Sequence, residues 1–324
     1  EEPRYFDDYS RSIFAFTRRK AGWDCMRHYE ILAAGAMPYF LGLEDCPVNT
    51  LTSFPKDLVQ EAMRMPGVHV DSSNKESTKG WIDHSVFNFS HYHMLLKKVQ
   101  IWTHKHLTTS ALARRVLSTM NVSDLEKARV LFLVMPGAWP PGGTYDEGGN
   151  LRDMLFHGLR TILSDRLVEF PRIDHMYKEY LPDWRSLPRP LWQREESIVR
   201  NDLHAYGFFH TGHLDGNLPI DRDNIKKRIV AREFDLIVMG SICHDMLARR
   251  GLDEVTADIP DEFPFWEAVK AHYPPDKVAL VDGDDWTEMP CNHWNCPCTC
   301  IRRYGPYGVY FWREMHDNIS CTVS

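Results

Sequence analysis

Short apolar runs alternate with helically spaced segments along this chain, and that alternation constrains the fold more than any other feature. A repeated strand–helix–strand order buries its apolar residues as a parallel sheet covered by helices. The clearest run is residues 130–135, VLFLVM, bounded by proline and glycine, which reads as a strand buried on both faces. Further strands are predicted at residues 12–17, 37–41, 68–70, 167–170, 236–239 and 278–281. Helices are predicted at residues 25–34, 56–65, 84–106, 109–120, 151–163, 224–233 and 263–272. Asp24 is the expected N-cap of the first of these, Gly35 its stop, and Asp221 the cap of the helix at 224–233. Polar residues 121–127 separate two such series, so the reading places one domain at 1–122 and a second at 123–324. The expected fold class is α/β, with two Rossmann-like, doubly wound domains facing a cleft and ligands at the carboxyl ends of the strands.

Composition removes other classes. Hydrophobic residues make up 43% and charged residues 26%, which excludes a disordered or fibrous chain. No apolar run nears the ~18–20 residues that cross a bilayer. A net charge of −7 argues against a nucleic-acid partner. The opening EEPRYFDDYS has neither a basic nor an apolar region of signal-peptide type. Sequons at Asn88, Asn121 and Asn318 and eight cysteines leave both a Golgi lumen and the cytoplasm open.

Residues 18–40, RRKAGWDCMRHYEILAAGAMPYF, carry the strongest chemical pattern. A strand ends in Arg18, Arg19 and Lys20, and a Gly22-Trp23-Asp24 turn opens a helix. A helix start offers unpaired N–H groups and partial positive charge, which suit a phosphate. Arg18, Arg19, Lys20 and Arg27 would add charged contacts to a diphosphate. Glu30, one turn beyond Arg27, could accept hydrogen bonds from a ribose diol. The same residues also read as a solvated basic turn with an Arg–Glu pair.

This stretch, from Lys20, Gly22, Trp23, Asp24, Cys25, Arg27, His28, Tyr29 and Glu30 through Ile31, Leu32, Gly35 and Pro38, resembles the donor-domain signature of exostosin-like glycosyltransferases of the GT-B type, found in algae, microbes and large algal viruses. The continuation LEDCPVNTLTSFPKDLVQEA also fits. The resemblance implies a UDP- or GDP-linked sugar donor, a glycan or glycoconjugate acceptor, and no catalytic metal. It would put Glu30 on the donor's ribose, with Lys20 and Arg27 on its diphosphate. Residues 128–314, with VLFLVMPG, HGLRTIL, DRDNIKKRIVAREFDLIVMGS, KVALVDGDD and YGVYFWRE, resemble the acceptor-side half of the same enzymes. The halves stand in inverted order relative to that family, as a circular permutation, a cut across two tandem units or an out-of-order assembly would each give.

Other segments offer further candidates. The loop at residues 136–149 carries Asp146 and Glu147, candidate general bases for an acceptor hydroxyl, with His157 and His175 as alternatives. Asp282, Asp284 and Asp285 follow a predicted strand and could bind a divalent cation or an acceptor sugar, with acceptor binding or a plain structural role preferred; His244, placed on the acceptor side, and Asp245 follow another strand and could line the cleft. Arg302 and Arg313 read as acceptor-side cations or as ordinary surface charges. Cys291, His293, Cys296, Cys298 and Cys300 offer soft ligands for a structural zinc, though their spacing is not that of paired zinc knuckles; disulfides or free thiols are the alternative. A glycosyltransferase is the first reading. An inactive scaffold or carbohydrate-binding subunit of the same descent is the second.

Overall fold

The structure, a computed structural model, describes residues 2–20, 22–71, 79–134, 150–178, 214–240, 264–283 and 304–314. It divides into two compact units: Glu1–Thr108 with Glu314–Asp317, and Thr109–Arg313 with Asn318–Ser324.

The first unit runs α1 (Glu2–Ser10), β1 (Phe14–Arg18), α2 (Met26–Ala33), β2 (Met37–Leu41), α3 (Lys56–Met63), β3 (Val68–Val70), β4 (Gly80–Ile82) and α4 (Phe89–His106). β1 and β2 pair in parallel across the α2 crossover. β3 and β4 form a separate antiparallel pair. Among the described residues this unit therefore holds two small sheets, not the doubly wound sheet expected of residues 1–122. The reason lies in residues 68–70: their hydrogen bonds go to the short strand β4, which sequence reading did not find, and not to β1 or β2. Its core gathers Trp23, Met37, Phe40, Phe54, Val59 and Leu95.

The second unit holds α5 (Thr109–Thr119), β5 (Val130–Val134), α6 (Asn150–Leu163), β6 (Leu167–Phe170), α7 (Ile225–Val230), β7 (Leu236–Gly240), α8 (Trp266–His272), β8 (Val278–Asp282) and β9 (Val309–Trp312). Its five strands form one parallel sheet in the order β6-β5-β7-β8-β9. Every residue of β5, β7 and β8 is buried, as continuous apolar strands require when both faces are covered. Alternation sorts them. Val130, Phe132, Leu236 and Val238 pack with α5 and α6. Leu131, Leu133, Ile237 and Met239 pack with α7 and α8 on the other face. The sheet is thus doubly wound, as expected for this half of the chain.

The two units part at Thr108, ahead of the polar stretch 121–127 that sequence reading took as the boundary. The apolar stripe of α5, with Ala113, Val116 and Leu117, is buried on the second unit's sheet, so the helix belongs there. No helix among the described residues is long and apolar enough to cross a membrane.

Candidate functional site

Two places in the described structure gather polar groups in ways that could serve a ligand. The first is the turn between β1 and α2. Arg18 ends β1 and is exposed, as is Lys20, while Arg27 on α2 is half-buried. Arg19 lies over the ring of Trp23 at 5.5 Å. The turn is held from several sides. His28, fully buried, has Nε2 at 2.8 Å from the Trp23 carbonyl and Nδ1 at 2.8 Å from the Thr17 hydroxyl. A carbonyl can only accept, so Nε2 carries the proton and Nδ1 accepts from Thr17. Burial lowers the His28 pKa to about 4, so the ring is neutral at pH 7. The Tyr29 hydroxyl donates to Asp24 at 2.7 Å, and the Cys25 thiol donates to the Gly22 carbonyl at 3.3 Å.

Two expectations change here. Cys25, not Asp24, occupies the N-cap of α2, because the Asp24 carboxylate is turned toward Tyr29. The Trp23 and Asp24 amides, expected to receive a phosphate, face the carboxylate of the buried Glu314, whose Oε2 and Oε1 accept at 3.0 and 2.5 Å. The anion that this backbone selects is thus supplied by the chain itself. Glu30 is only 7% exposed, so its carboxylate has little surface to offer a ligand.

The second place is the carboxyl edge of the five-stranded sheet. Strand order reverses at β5, with β6 on one side and β7 on the other, and such a switch point is where ligands bind in open parallel sheets. The amino end of α6 lies over this edge. Arg152 is fully buried and its Nε donates to Asp153 Oδ1 at 2.9 Å. A Cβ on Gly240, the last residue of β7, would come within 2.7 Å of Arg152 Cγ, so that position needs glycine for the arginine to pass. At the end of β8, Asp282 is buried and its Oδ2 accepts from the Tyr310 hydroxyl at 2.7 Å. The Asp282 carbonyl accepts from the Arg313 amide at 3.1 Å, and Arg313 Nη1 donates to the Gly283 carbonyl at 2.9 Å. Arg313 therefore braces the strand ends.

The structure keeps Arg18, Lys20, Trp23, Asp24, Arg27 and Glu30 together on one strand–turn–helix unit, and puts Asp282 at a strand end as expected. His157 instead sits within α6, its Nδ1 2.9 Å from the Thr109 hydroxyl of α5, and so serves helix packing. Asp146, Glu147, His244, Asp245, Asp284, Asp285, Arg302, Cys291, His293, Cys296, Cys298 and Cys300 lie outside the described residues. His175 lies on the turn Asp174–Met176 after β6. Among the described residues no group of three or more His, Cys, Asp or Glu could hold a metal ion. Sequence reading missed Glu314, His28, Arg152 and Tyr310 as structural parts of these sites. For Arg152 the available signal was its place just after a glycine-rich loop that follows a strand.

A buried ionic cluster at the sheet edge also escaped sequence reading. Glu169 on β6 accepts from Arg160 Nη2 at 2.5 Å, from the Tyr177 hydroxyl at 2.5 Å, and from Arg222. Burial, then the charge of Glu169, pushes the Tyr177 pKa up to about 12. With every carboxylate oxygen engaged, this cluster ties β6 to its neighbours and leaves Glu169 nothing to offer a ligand.

Comparison of the chain with protein-family models, with curated proteins and with solved structures finds no match.

Proposed function

We propose that this chain is a glycosyltransferase that moves a sugar from a nucleoside-diphosphate donor to a hydroxyl of a glycan or glycoconjugate. In this reading the first unit is the donor half and the second the acceptor half of a GT-B-type enzyme. The acceptor hydroxyl loses its proton to a carboxylate, Asp146 or Glu147, as its oxygen attacks the sugar's anomeric carbon. The bond from that carbon to the phosphate oxygen breaks, and the nucleoside diphosphate departs with its charge balanced by cations. Arg18, Lys20 and Arg27 supply those cations. Asp282, expected among the acceptor's ligands, is fully buried on the Tyr310 hydroxyl and instead braces the strand end on the acceptor side.

The observation that carries the reading is the braced turn after β1. Its signature residues are pinned by His28, Tyr29 and Glu314, while Arg18 and Lys20 stay at the surface. A braced turn with cations at the surface is suited to a diphosphate held through side chains. A second reading, a glycosyltransferase-like scaffold without transfer activity, is favoured by Glu314 on the Trp23 and Asp24 amides and by the burial of Glu30.

Calorimetric titration with UDP, GDP, their nucleosides and their sugars, with and without EDTA, separates the two. The transferase reading expects one diphosphate to bind regardless of EDTA. It also expects Lys20→Ala to weaken that diphosphate roughly tenfold to a hundredfold, with far less effect on the nucleoside. No binding by any nucleotide would leave the scaffold reading. An equal loss for diphosphate and nucleoside would remove Lys20 from a phosphate role.

A further inference from the structure

One surface of the first unit has no part in the donor site. From His84 to Ser123 the chain has no aspartate or glutamate, although these make up 45 of its 324 residues. The same stretch contains Lys97, Lys98, Lys105, Arg114 and Arg115. The three lysines lie on α4, which packs inward through Tyr92, Leu95 and Val99. At 3.6 residues per turn, Met94, Lys97, Lys98, Ile101 and Lys105 fall on the opposite side, and all five are exposed. Met94 is 44% exposed and Ile101 59%. None of the three lysines makes an ion pair among the described residues.

An outer helix face usually mixes charges of both signs and few apolar groups. This one has a single sign, with two apolar side chains set among the lysines, on a chain whose net charge is −7. We propose that the outer face of α4 docks the protein on an anionic lipid surface. Charge complementarity selects an anion, and the apolar pair selects a lipid. Lysine ammonium groups meet headgroup phosphates and carboxylates while their stems, with Met94 and Ile101, enter the headgroup boundary. A helix of 18 residues, about 27 Å long, provides a flat line of contact parallel to such a surface. Nucleic acid would match the lysines but leave Met94 and Ile101 without a role, and no arginine on this face offers bidentate phosphate contacts.

The test is co-sedimentation of the full chain with phosphatidylcholine vesicles, with or without phosphatidylserine. Retention is expected only with phosphatidylserine and should fall as salt rises. Replacing Lys97, Lys98 and Lys105 by glutamine should weaken partitioning about fivefold per lysine, on the order of a hundredfold together. Replacing the same three by arginine should preserve it. Met94→Ser with Ile101→Ser should weaken binding at every salt concentration, because apolar contact is not screened. All these positions are exposed, and circular dichroism verifies that each variant is folded. The proposal is overturned by equal retention on neutral vesicles, by no retention on either, or by a glutamine variant that binds like the parent. It is also overturned if soluble polyphosphate binds the chain while vesicles do not.

Discussion

His28 shows how one buried side chain can fix a turn and set a pH limit on the fold. Its ring bridges Thr17 on β1 and the carbonyl of Trp23, and it lies 4.3 Å from the ring of Phe40. Burial lowers its pKa from 6.5 to about 4, so the folded chain refuses a proton that the unfolded chain accepts. The contribution is fully present above pH 6.5 and is lost as pH falls from 6.5 toward 4, amounting to about 3 kcal/mol. Urea unfolding of the first unit should therefore shift to lower denaturant over that window. His28→Gln should be less stable at pH 7, because it cannot match both hydrogen bonds at the same spacing, yet should show a flatter profile. A variant with the parent's full pH dependence would assign the effect to other groups. The signature residues could be read from the sequence as a strand, a turn and a helix, but this bridge could not. Thr17 and His28 are 11 positions apart, and only the parallel crossover brings them together. Glu314 was still less legible, since its partners Trp23 and Asp24 are about 290 positions away.

At the scale of elements, the close approach of α5 and α6 depends on Gly158. An ideal Cβ there would stand 2.0 Å from the Thr109 carbonyl oxygen and 3.0 Å from the Ala113 Cβ. Alanine is the better helix former by about 1 kcal/mol. Backbone atoms cannot move aside as a flexible side chain can, so the clash wins and the helices must separate. Gly158→Ala should then destabilise the second unit by roughly 1–3 kcal/mol, read as a lower denaturation midpoint. A neutral or stabilising result would mean that α5 can slide without loss. Strands buried on both faces were the most legible elements, because β5, β7 and β8 are unbroken apolar runs. β4 was missed because Gly80-Trp81-Ile82 is too short to show a period, and it becomes recognisable only through its pairing with β3. The boundary near 121–127 misled for a physical reason. Polarity marks solvent exposure of the loop, whereas the allegiance of α5 is set by its apolar stripe, which matches the sheet that follows it.

For the whole molecule, the main consequence is that each unit builds its core from its own residues. Trp23, Phe40, Phe54 and Leu95 belong to one, and the residues flanking the five-stranded sheet form the others on its two faces. Stability is then a property of each unit, and a single two-state transition is not expected of a chain built this way. Phe132 offers a clean probe. It lies at the centre of β5, is fully buried, and packs 5.4 Å from the ring of Phe156 on α6. Phe132→Ala removes most of a ring from a close-packed layer, at a cost of about 3–5 kcal/mol. Calorimetric unfolding should show the second unit's transition moved to lower temperature while the first unit's stays in place. His28→Gln should move the first and spare the second, which identifies each transition independently. If either variant shifts both transitions together, the units unfold as one cooperative block, and ligand binding at one would stabilise the other. If they remain separate, a nucleotide that binds the β1–α2 turn should raise only the first transition. That outcome would place the donor on the first unit without any assay of sugar transfer.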